Sequence, residues 1–472
     1  MYIKRMLRMF RRTAASSALV AAASAMSPLG GVFAEEAEPG LVFDAGASLR
    51  VRQEIIRNVP AAVNGMLGRP GQTRGKTRNH FRFRPSVWMQ LSDAEETWRI
   101  YARVTDEFRA GIASNAHKQR TFPCEAVLDN LFIETKGLFG GFLDIKAGRQ
   151  DIYRLYGLDH IFADGTPGDG SCSVHSDMIR AALNFSETDT LDLFALYNVD
   201  RDELRWGTKR SRRLSKTGFG AGKAEMDDWG FGAVWSSRAG FADWQLFYIG
   251  KGTKAFHNKG VKHPRRFTNL FGTKIVPHWT ENFSTPVEAM AQVGKNGNGN
   301  ALHAWAGYAG FDWRAAGEGV RPFVSGGVLV LSGDEKAADE DGGRGAWDPM
   351  WYRGVDDGEM FLYGSLYGCG WWSNLVNVKT SLGAEFGYRH SATVSFGPMF
   401  AEERDGLGGG DSLYKGFFTQ MRYEFPLYIS PKEEGGRFEL FGHVLCEIFN
   451  PGDYYITDKP AVFFRWQVEA RF

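Results

Sequence analysis

The segment Ala461-Val462-Phe463-Phe464-Arg465-Trp466-Gln467-Val468-Glu469-Ala470-Arg471-Phe472 alternates with period two: Val462, Phe464, Trp466, Val468 and Ala470 are apolar, and Arg465, Gln467, Glu469 and Arg471 are polar. Successive side chains of an extended strand point to opposite faces, so this segment presents one apolar and one polar surface. A strand of this pattern that stops on an aromatic residue reads as a client of outer-membrane barrel assembly, with lipid on one face and water on the other.

At the other end, Lys4, Arg5, Arg8, Arg11 and Arg12 precede an Ala-rich run from Ala14 to Ala25, and Val32-Phe33-Ala34 supplies the small residue a signal peptidase needs. Residues 1–34 read as a secretory signal peptide and 35–472 as a single transmembrane β-barrel domain. A retained anchor is the alternative, but the run is short and broken by Ser24, Ser27 and Pro28. Downstream no uncharged apolar run reaches the roughly 18 residues a membrane helix requires. Without the five signal cations, Lys plus Arg falls from 56 to 51 against 55 Asp plus Glu, and the net charge moves from +1 to −4. Any preference for anions must therefore come from where charges sit. The four cysteines, Cys124, Cys172, Cys369 and Cys446, lack metal-ligand spacing. Cys124 and Cys172 could pair in an oxidising compartment, whereas Cys446 shares a face with Phe438, Leu440 and Val444 and reads as a free apolar side chain.

Strand candidates with period two fall at 48–56, 79–91, 97–108, 126–136, 142–150, 177–186, 190–199, 228–237, 242–250, 303–315, 320–332, 360–372, 377–389, 392–401, 413–429, 437–449 and 461–472. Over the first half, short connections (92–96, 137–141, 187–189, 238–241) alternate with long ones (57–78, 109–125, 151–176, 200–227). Short periplasmic turns and long extracellular loops are the habit of outer-membrane barrels, which also favour even strand numbers. One strand is then missing, and Phe267–Val276 or Val287–Val293 is its expected place. In the second half, the short His390-Ser391 connection and the long one at 402–412 fit either side. The fold class expected is all-β: a transmembrane antiparallel β-barrel of the outer-membrane type, with about 18 strands and 16 as the alternative. Closure is obligatory because an open edge in hydrocarbon leaves backbone groups unpaired. Trp88, Trp98, Trp229, Trp235, Trp244, Trp305, Trp313, Trp371 and Trp466 recur in or beside these candidates, where interfacial girdles would hold some of them. A soluble sandwich or propeller is the rival, but the repeat of about forty residues that a propeller needs does not occur.

In Leu49-Arg50-Val51-Arg52 and Phe81-Arg82-Phe83-Arg84 the arginines share one side. Arg99, Tyr101, Arg103 and Thr105 oppose Trp98, Ile100, Ala102 and Val104, and Glu107 and Arg109 continue the polar row. Arg180 opposes Ile179 and Ala181, and Arg422 opposes Met421 and Tyr423. An arginine facing lipid at mid-depth costs roughly 2–4 kcal/mol, so these side chains are expected inside. The pore-lining set is Arg50, Arg52, Arg82, Arg84, Arg99, Arg103, Lys146, Arg180, Arg422 and Arg465, with Arg471 on the same face. Glu54, Glu107, Asp144, Asp192, Glu424 and Glu469 share these rows, which leaves two readings: a neutralised wall, or a basic track with acidic spacers. Arginine rings select anions, and the guanidinium fork binds carboxylates bidentately.

Three places resemble the alginate export proteins of bacterial outer membranes. Ile145-Lys146-Ala147-Gly148-Arg149-Gln150, followed by Tyr156 and Gly157, is similar to the family's strand ending in G-R-Q. Asp177-Met178-Ile179-Arg180 resembles its D-x-x-R strand start. Ser332-Gly333-Asp334 with Gly345 and Trp347-Asp348-Pro349-Met350 resembles its S-G-D loop closed by an F-D-P-L segment. The resemblance implies an 18-stranded barrel with an arginine-rich, anion-selective pore for uronate polymers. Trp347 and Met350 depart from the family's Phe and Leu. Arg149 falls in phase with Leu143, Ile145 and Ala147, which faces it to lipid unless a bulge intervenes.

The function expected is passive passage of an anionic, uronate-type polysaccharide or oligosaccharide. A general anion- or sugar-selective diffusion porin and a structural or adhesin barrel are the alternatives. An enzyme is not expected, since no G-x-S-x-G or H-E-x-x-H occurs. No cofactor is called for; the acidic run Asp334–Asp341 could hold Ca²⁺, though it lacks EF-hand alternation and reads better as a solvated loop. The basic loops Lys209–Lys216 and Lys254–Arg266 fit either solvated surface or lipopolysaccharide phosphates. Partners expected are outer-membrane lipid and lipopolysaccharide, an anionic saccharide and periplasmic export partners, with no nucleic acid, and the chain acting as a monomer.

Overall fold

The computed structural model describes residues 40–58, 78–111, 125–151, 155–158, 175–199, 202, 204–207, 227–258, 261–296, 299–335, 344–351, 373–405, 408–430 and 438–472. Among them eighteen long strands form the wall. These are β1 (Leu41–Arg57), β2 (Arg78–Asp93), β3 (Trp98–Thr105, continued by Phe108–Gly111), β4 (Glu125–Gly137), β5 (Leu143–Gln150) and β6 (Ser176–Asn184). Next come β7 (Asp189–Asn198), β8 (Asp228–Ala239), β9 (Ala242–Thr253), β10 (Arg266–Thr280), β11 (Val287–Lys295) and β12 (Ala301–Arg314). The last six are β13 (Arg321–Leu331), β14 (Leu375–Phe386), β15 (His390–Phe400), β16 (Tyr414–Ile429), β17 (Glu439–Pro451) and β18 (Ala461–Arg471). Each pairs antiparallel with the next, and β18 returns to β1 from Ser48↔Arg471 to Arg57↔Val462, which closes the barrel. No sheet edge is left for hydrocarbon to face.

Two strands occupy the stretch where one was expected: β10 and β11 pair directly from Thr268↔Gly294 to Ile275↔Val287. The candidate at 360–372 lies outside the described residues, and β13 pairs with β14 from Arg321↔Glu385 to Leu331↔Leu375 with no strand between them. Eighteen is thus reached with a different membership. The second-half ambiguity resolves as well. The turn is 387–389, with His390 and Ser391 inside β15, and it lies at the end of the short connections, which puts 401–413 among the long ones.

Register fixes which side chain faces where. Arg50 lies opposite Arg84 and Glu469, and Val51 opposite Phe83 and Val468, so the polar and apolar rows stay in step across three strands. Outward residues such as Ile133, Ile179, Leu193, Leu246, Phe271 and Trp305 are exposed, as a lipid-facing belt must be. Cys446 belongs to this outer row, opposite Met421 and Phe464.

The lumen is partly filled. Residues 155–158 fold inward: the Tyr156 ring stacks on Phe194 at 5.3 Å beneath the Arg180 guanidinium, and Gln245 and Lys274 donate to the Tyr156 and Gly157 carbonyls, each at 2.9 Å. Residues 344–351 and 452–455 do likewise, and Leu155, Leu158, Trp347, Met350, Trp351, Tyr454 and Tyr455 join inward apolar residues in one buried cluster. Trp351 approaches β8 at Gly230, where a Cβ would stand 2.3 Å from its ring.

If the outer row faces lipid, Leu193→Arg on β7, flanked by Ala181 and Ala233, should destabilise the barrel by roughly 2–4 kcal/mol in urea titrations in lipid vesicles. A change near zero would mean that this row is not in hydrocarbon.

Candidate functional site

Toward the short-turn end of the lumen lies a chamber of about 1120 Å³, walled by β1 to β3 and β13 to β18. Arg50, Arg84, Arg103, Arg321, Arg389, Arg422 and Arg471 line it, against Glu385, Glu424 and Glu469, with Ser48, Trp88, Tyr101, Phe441, His390 and His443 between them.

The wall is built in rungs set by strand register. Arg471, Ser48, Ser86 and Thr105 lie abreast; two residues further from the short turns come Glu469, Arg50 and Arg84. The next rung holds Gln467, Arg52, Arg82 and Arg109, and the one beyond it Arg465, Glu54 and His80. The upper two rungs knit together behind the chamber. Glu54 accepts from Arg52 at 2.9 Å and Arg82 at 3.0 Å, with His80 Nε2 3.1 Å away. Glu107 pairs with Arg82 and lies 3.8 Å from Arg50 and 3.6 Å from Arg109. Asp129 takes a two-point fork from Arg103 at 2.9 and 3.1 Å, and Arg84 comes within 3.8 Å of it. Asp129 owes its inward position to a bulge, where Arg103 pairs with Asn130 but Val104 pairs with Leu128. Asp151 braces Arg103 from the other side at 2.9 Å.

Every residue of the expected pore set falls on an inward row, but they separate by depth. Arg50, Arg84, Arg103 and Arg422 face the chamber. Arg52, Arg82 and Arg465 are at most 1% exposed and belong to the buried knot, with Arg465 donating to His443 at 2.9 Å. Arg99, Lys146 and Arg180 form a separate inward patch around β4 to β7: Arg99 pairs with Glu134 at 2.6 Å, Lys146 sits 3.9 Å over the Phe132 ring, and Arg180 reaches Asp192 at 3.4 Å. Sequence reading missed Arg321 and Arg389. Arg321 opens β13 before a proline and a mostly neutral row, and Arg389 sits in a turn, so neither shows alternation.

The two readings of the wall meet here. Deep in it, guanidinium groups and carboxylates neutralise one another. At the chamber face Glu107 and Asp129 are buried behind Arg50, Arg84 and Arg103, whereas Arg321, Arg389, Arg422 and Arg471 pair with Glu385, Glu439, Glu424 and Glu469, which are not buried. Buried carboxylates thus act as orienting props, and fork-to-fork geometry fixes the side chain that would otherwise be flexible.

Arg149 takes neither course foreseen for it. β5 pairs with β6 without a bulge, so Arg149 keeps the outer phase opposite Asp177. It is buried at the far end of its strand, donating to Asp177 at 2.8 Å, Asp202 at 3.0 Å and the Leu128 carbonyl at 3.1 Å. Burial works against the Asp202 charge, but His175 and Arg149 outweigh it and hold that carboxyl well below its usual range. Asp202 also caps the Leu204 amide at 3.1 Å, beside Arg205–Gly207, which pairs with the far end of β4. Gly148, at φ +126°, has room for no Cβ, since the Leu131 carbonyl would lie 2.3 Å from it.

The Trp347–Met350 segment is tied to the opposite wall. Gln292 brackets Asp348 through both backbone groups, at 2.7 and 2.9 Å, and Lys251 donates to the Met350 carbonyl. Burial opposes the Asp348 charge, yet Lys251 and Arg266 keep its carboxyl below the usual range. Of the Asp334–Asp341 run, Asp334 accepts from the Gly345 amide at 2.9 Å, and 336–341 lie outside the described residues. No acidic or His/Cys group arranged to hold a metal occurs among the described residues. Cys124, Cys172, Cys369, Trp371 and Lys209–Lys216 also lie outside them; Lys254 pairs with Asp227 at 3.0 Å.

No family model matches the chain, and no curated protein matches it. Among solved structures it is similar to Pseudomonas putida OprB, at 10% identity over 94% of this chain and 97% of that one, with a TM-score of 0.44. Pseudomonas aeruginosa OccK5 matches at 8% identity over 91% and 98%, with a TM-score of 0.49. The outer membrane channel DcaP of Acinetobacter baumannii matches at 10% identity over 93% and 98%, with a TM-score of 0.41. At such identities and scores the likeness carries no argument about substrate, and the fold rests on the strand pairings themselves. A closed barrel of this size with an apolar outer belt is an outer-membrane protein.

Removing one partner of a buried ion network leaves uncompensated charge, so Glu54→Ala should cost about 3–5 kcal/mol in urea unfolding. Glu469→Ala, which releases only the exposed Arg471, should cost about 1 kcal/mol or less. Equal costs would mean that the knot does not carry the wall.

Proposed function

We propose that this barrel is a passive channel for an anionic saccharide of the uronate type. The observation that supports this most directly is the chamber face, where seven arginines meet three glutamates and the supporting carboxylates stand behind. Such a surface attracts carboxylates at many points, each weakly enough to let go, because every guanidinium is already partly engaged by an acid, buried for Arg50, Arg84 and Arg103 and part-exposed for the other four. A polyanion can then step from Arg389, Arg422 and Arg471 towards Arg50 and Arg84 without a deep trap. The resemblance of the G-R-Q, D-x-x-R and S-G-D segments to alginate export proteins agrees with this reading.

Lipid and lipopolysaccharide surround the belt in this proposal, a single chain makes the channel, periplasmic export partners deliver the saccharide, and neither a cofactor nor catalysis is required. The second reading is a general anion-selective diffusion porin, favoured by the same arginines when no saccharide is recognised.

Reversal potentials in a KCl gradient across planar bilayers test the proposal. The parent should prefer chloride, and Arg422→Gln with Arg471→Gln should lower the chloride-to-potassium permeability ratio severalfold while weakening block by an oligouronate. Cation preference in the parent, or a ratio unmoved by the double change, would refute it; anion preference without uronate block would leave the diffusion porin.

A further inference from the structure

The inner wall carries a feature that anion passage does not need. Trp88 on β2, Tyr101 on β3 and Phe132 on β4 lie in a row across neighbouring strands. Centroid spacings are 6.0 and 5.2 Å, and the planes lie within 18° and 22° of parallel. All three are on the inward phase, so they are no part of an interfacial girdle. Phe132 is buried with Lys146 over its ring, but Trp88 and Tyr101 are only half-buried and line the chamber.

The wall makes room for this arrangement. Gly46 on β1 is the strand partner of Trp88, and a Cβ there would stand 2.8 Å from the indole. The missing side chain lets the ring lie against β1. Arg103 is the strand partner of Trp88 on the other side, fixed by Asp129 and Asp151. A guanidinium of set direction therefore stands beside half-covered aromatic faces. Half-exposed aromatic faces with a few convergent polar groups beside them are the usual form of a small-molecule site.

A pyranose ring has the matching chemistry: its C–H face is apolar, and its hydroxyl and carboxylate groups project from the rim. We infer that Trp88 and Tyr101 form a stacking platform for a pyranose ring at the periplasmic end of the chamber, with Arg103 and Arg84 receiving the ring's carboxylate. This rests on the anionic-saccharide reading and deepens it: the channel recognises the sugar ring as well as its charge. Small inorganic anions pass the same arginines without touching the platform.

The test is block of single channels by an oligomannuronate and by a neutral malto-oligosaccharide, in the parent, in Trp88→Ala/Tyr101→Ala, and in Trp88→Leu, which keeps apolar volume without the ring. Heat-modifiable gel mobility shows which variants fold. The expected result is a dissociation constant for oligomannuronate block raised about tenfold in the double variant and in Trp88→Leu. Trp88→Phe should restore most of the block, and the KCl reversal potential should not move in any of them. Block as tight in Trp88→Leu as in the parent would overturn the platform, as would a parent blocked by no saccharide. A parent blocked equally by both saccharides, with both lost on Trp88→Leu, would support the platform while removing the preference for an anionic sugar.

Discussion

Hydrocarbon offers no partner to a peptide N–H or C=O, and the rest of the molecule answers to that constraint. Each long strand must pair on both sides, and the ring is complete only because β18 finds β1 over ten register pairs. Once the ring is closed, the period of two sorts every side chain into the lumen or the lipid. Arg50 and Arg52 point inward because Leu49 and Val51 point outward, and a shift of one residue would exchange them.

A lumen crowded with guanidinium groups has a problem of its own. Buried arginines repel one another and need acceptors, and Glu54, Glu107 and Asp129 supply them within an otherwise closed knot. The acids serve two ends. They neutralise the deep wall, and Asp129 fixes Arg103 at the chamber face, with Arg50 and Arg84 3.8 Å from Glu107 and Asp129. Nearer the long loops the lumen is organised by different means: residues 155–158, 344–351 and 452–455 fold in and pack on inward apolar residues of the wall, from Met178 on β6 to Phe463 on β18.

That division explains what could be read in advance. β18, β1 and β2 were legible because their inward rows face charge and water, so apolar and polar residues alternate cleanly. β10 and β11 were legible only as alternatives for one strand, since Leu270 and Met290 point inward yet pack in the apolar cluster, and contrast between faces is lost. The bulge that brings Asp129 inward and the stacking of Trp88 against Gly46 depend on pairing between strands, which no single segment encodes. The positions of the arginines on the inner face were legible, but their separation into chamber, knot and outlying patch was not, because depth along the lumen is set by register and by which loops fold inside.

The central claim is that guanidinium groups face water within the barrel while their chain neighbours face lipid. Cysteine labelling at adjacent positions of β16 tests it directly, with Arg422→Cys and Met421→Cys each placed in a cysteine-free background in liposomes. A cysteine at 422 should react with membrane-impermeant thiosulfonates, faster with an anionic than with a cationic one, and a cysteine at 421 should react with neither. Reaction at 421 with silence at 422, or faster labelling of 422 by the cation, would contradict it.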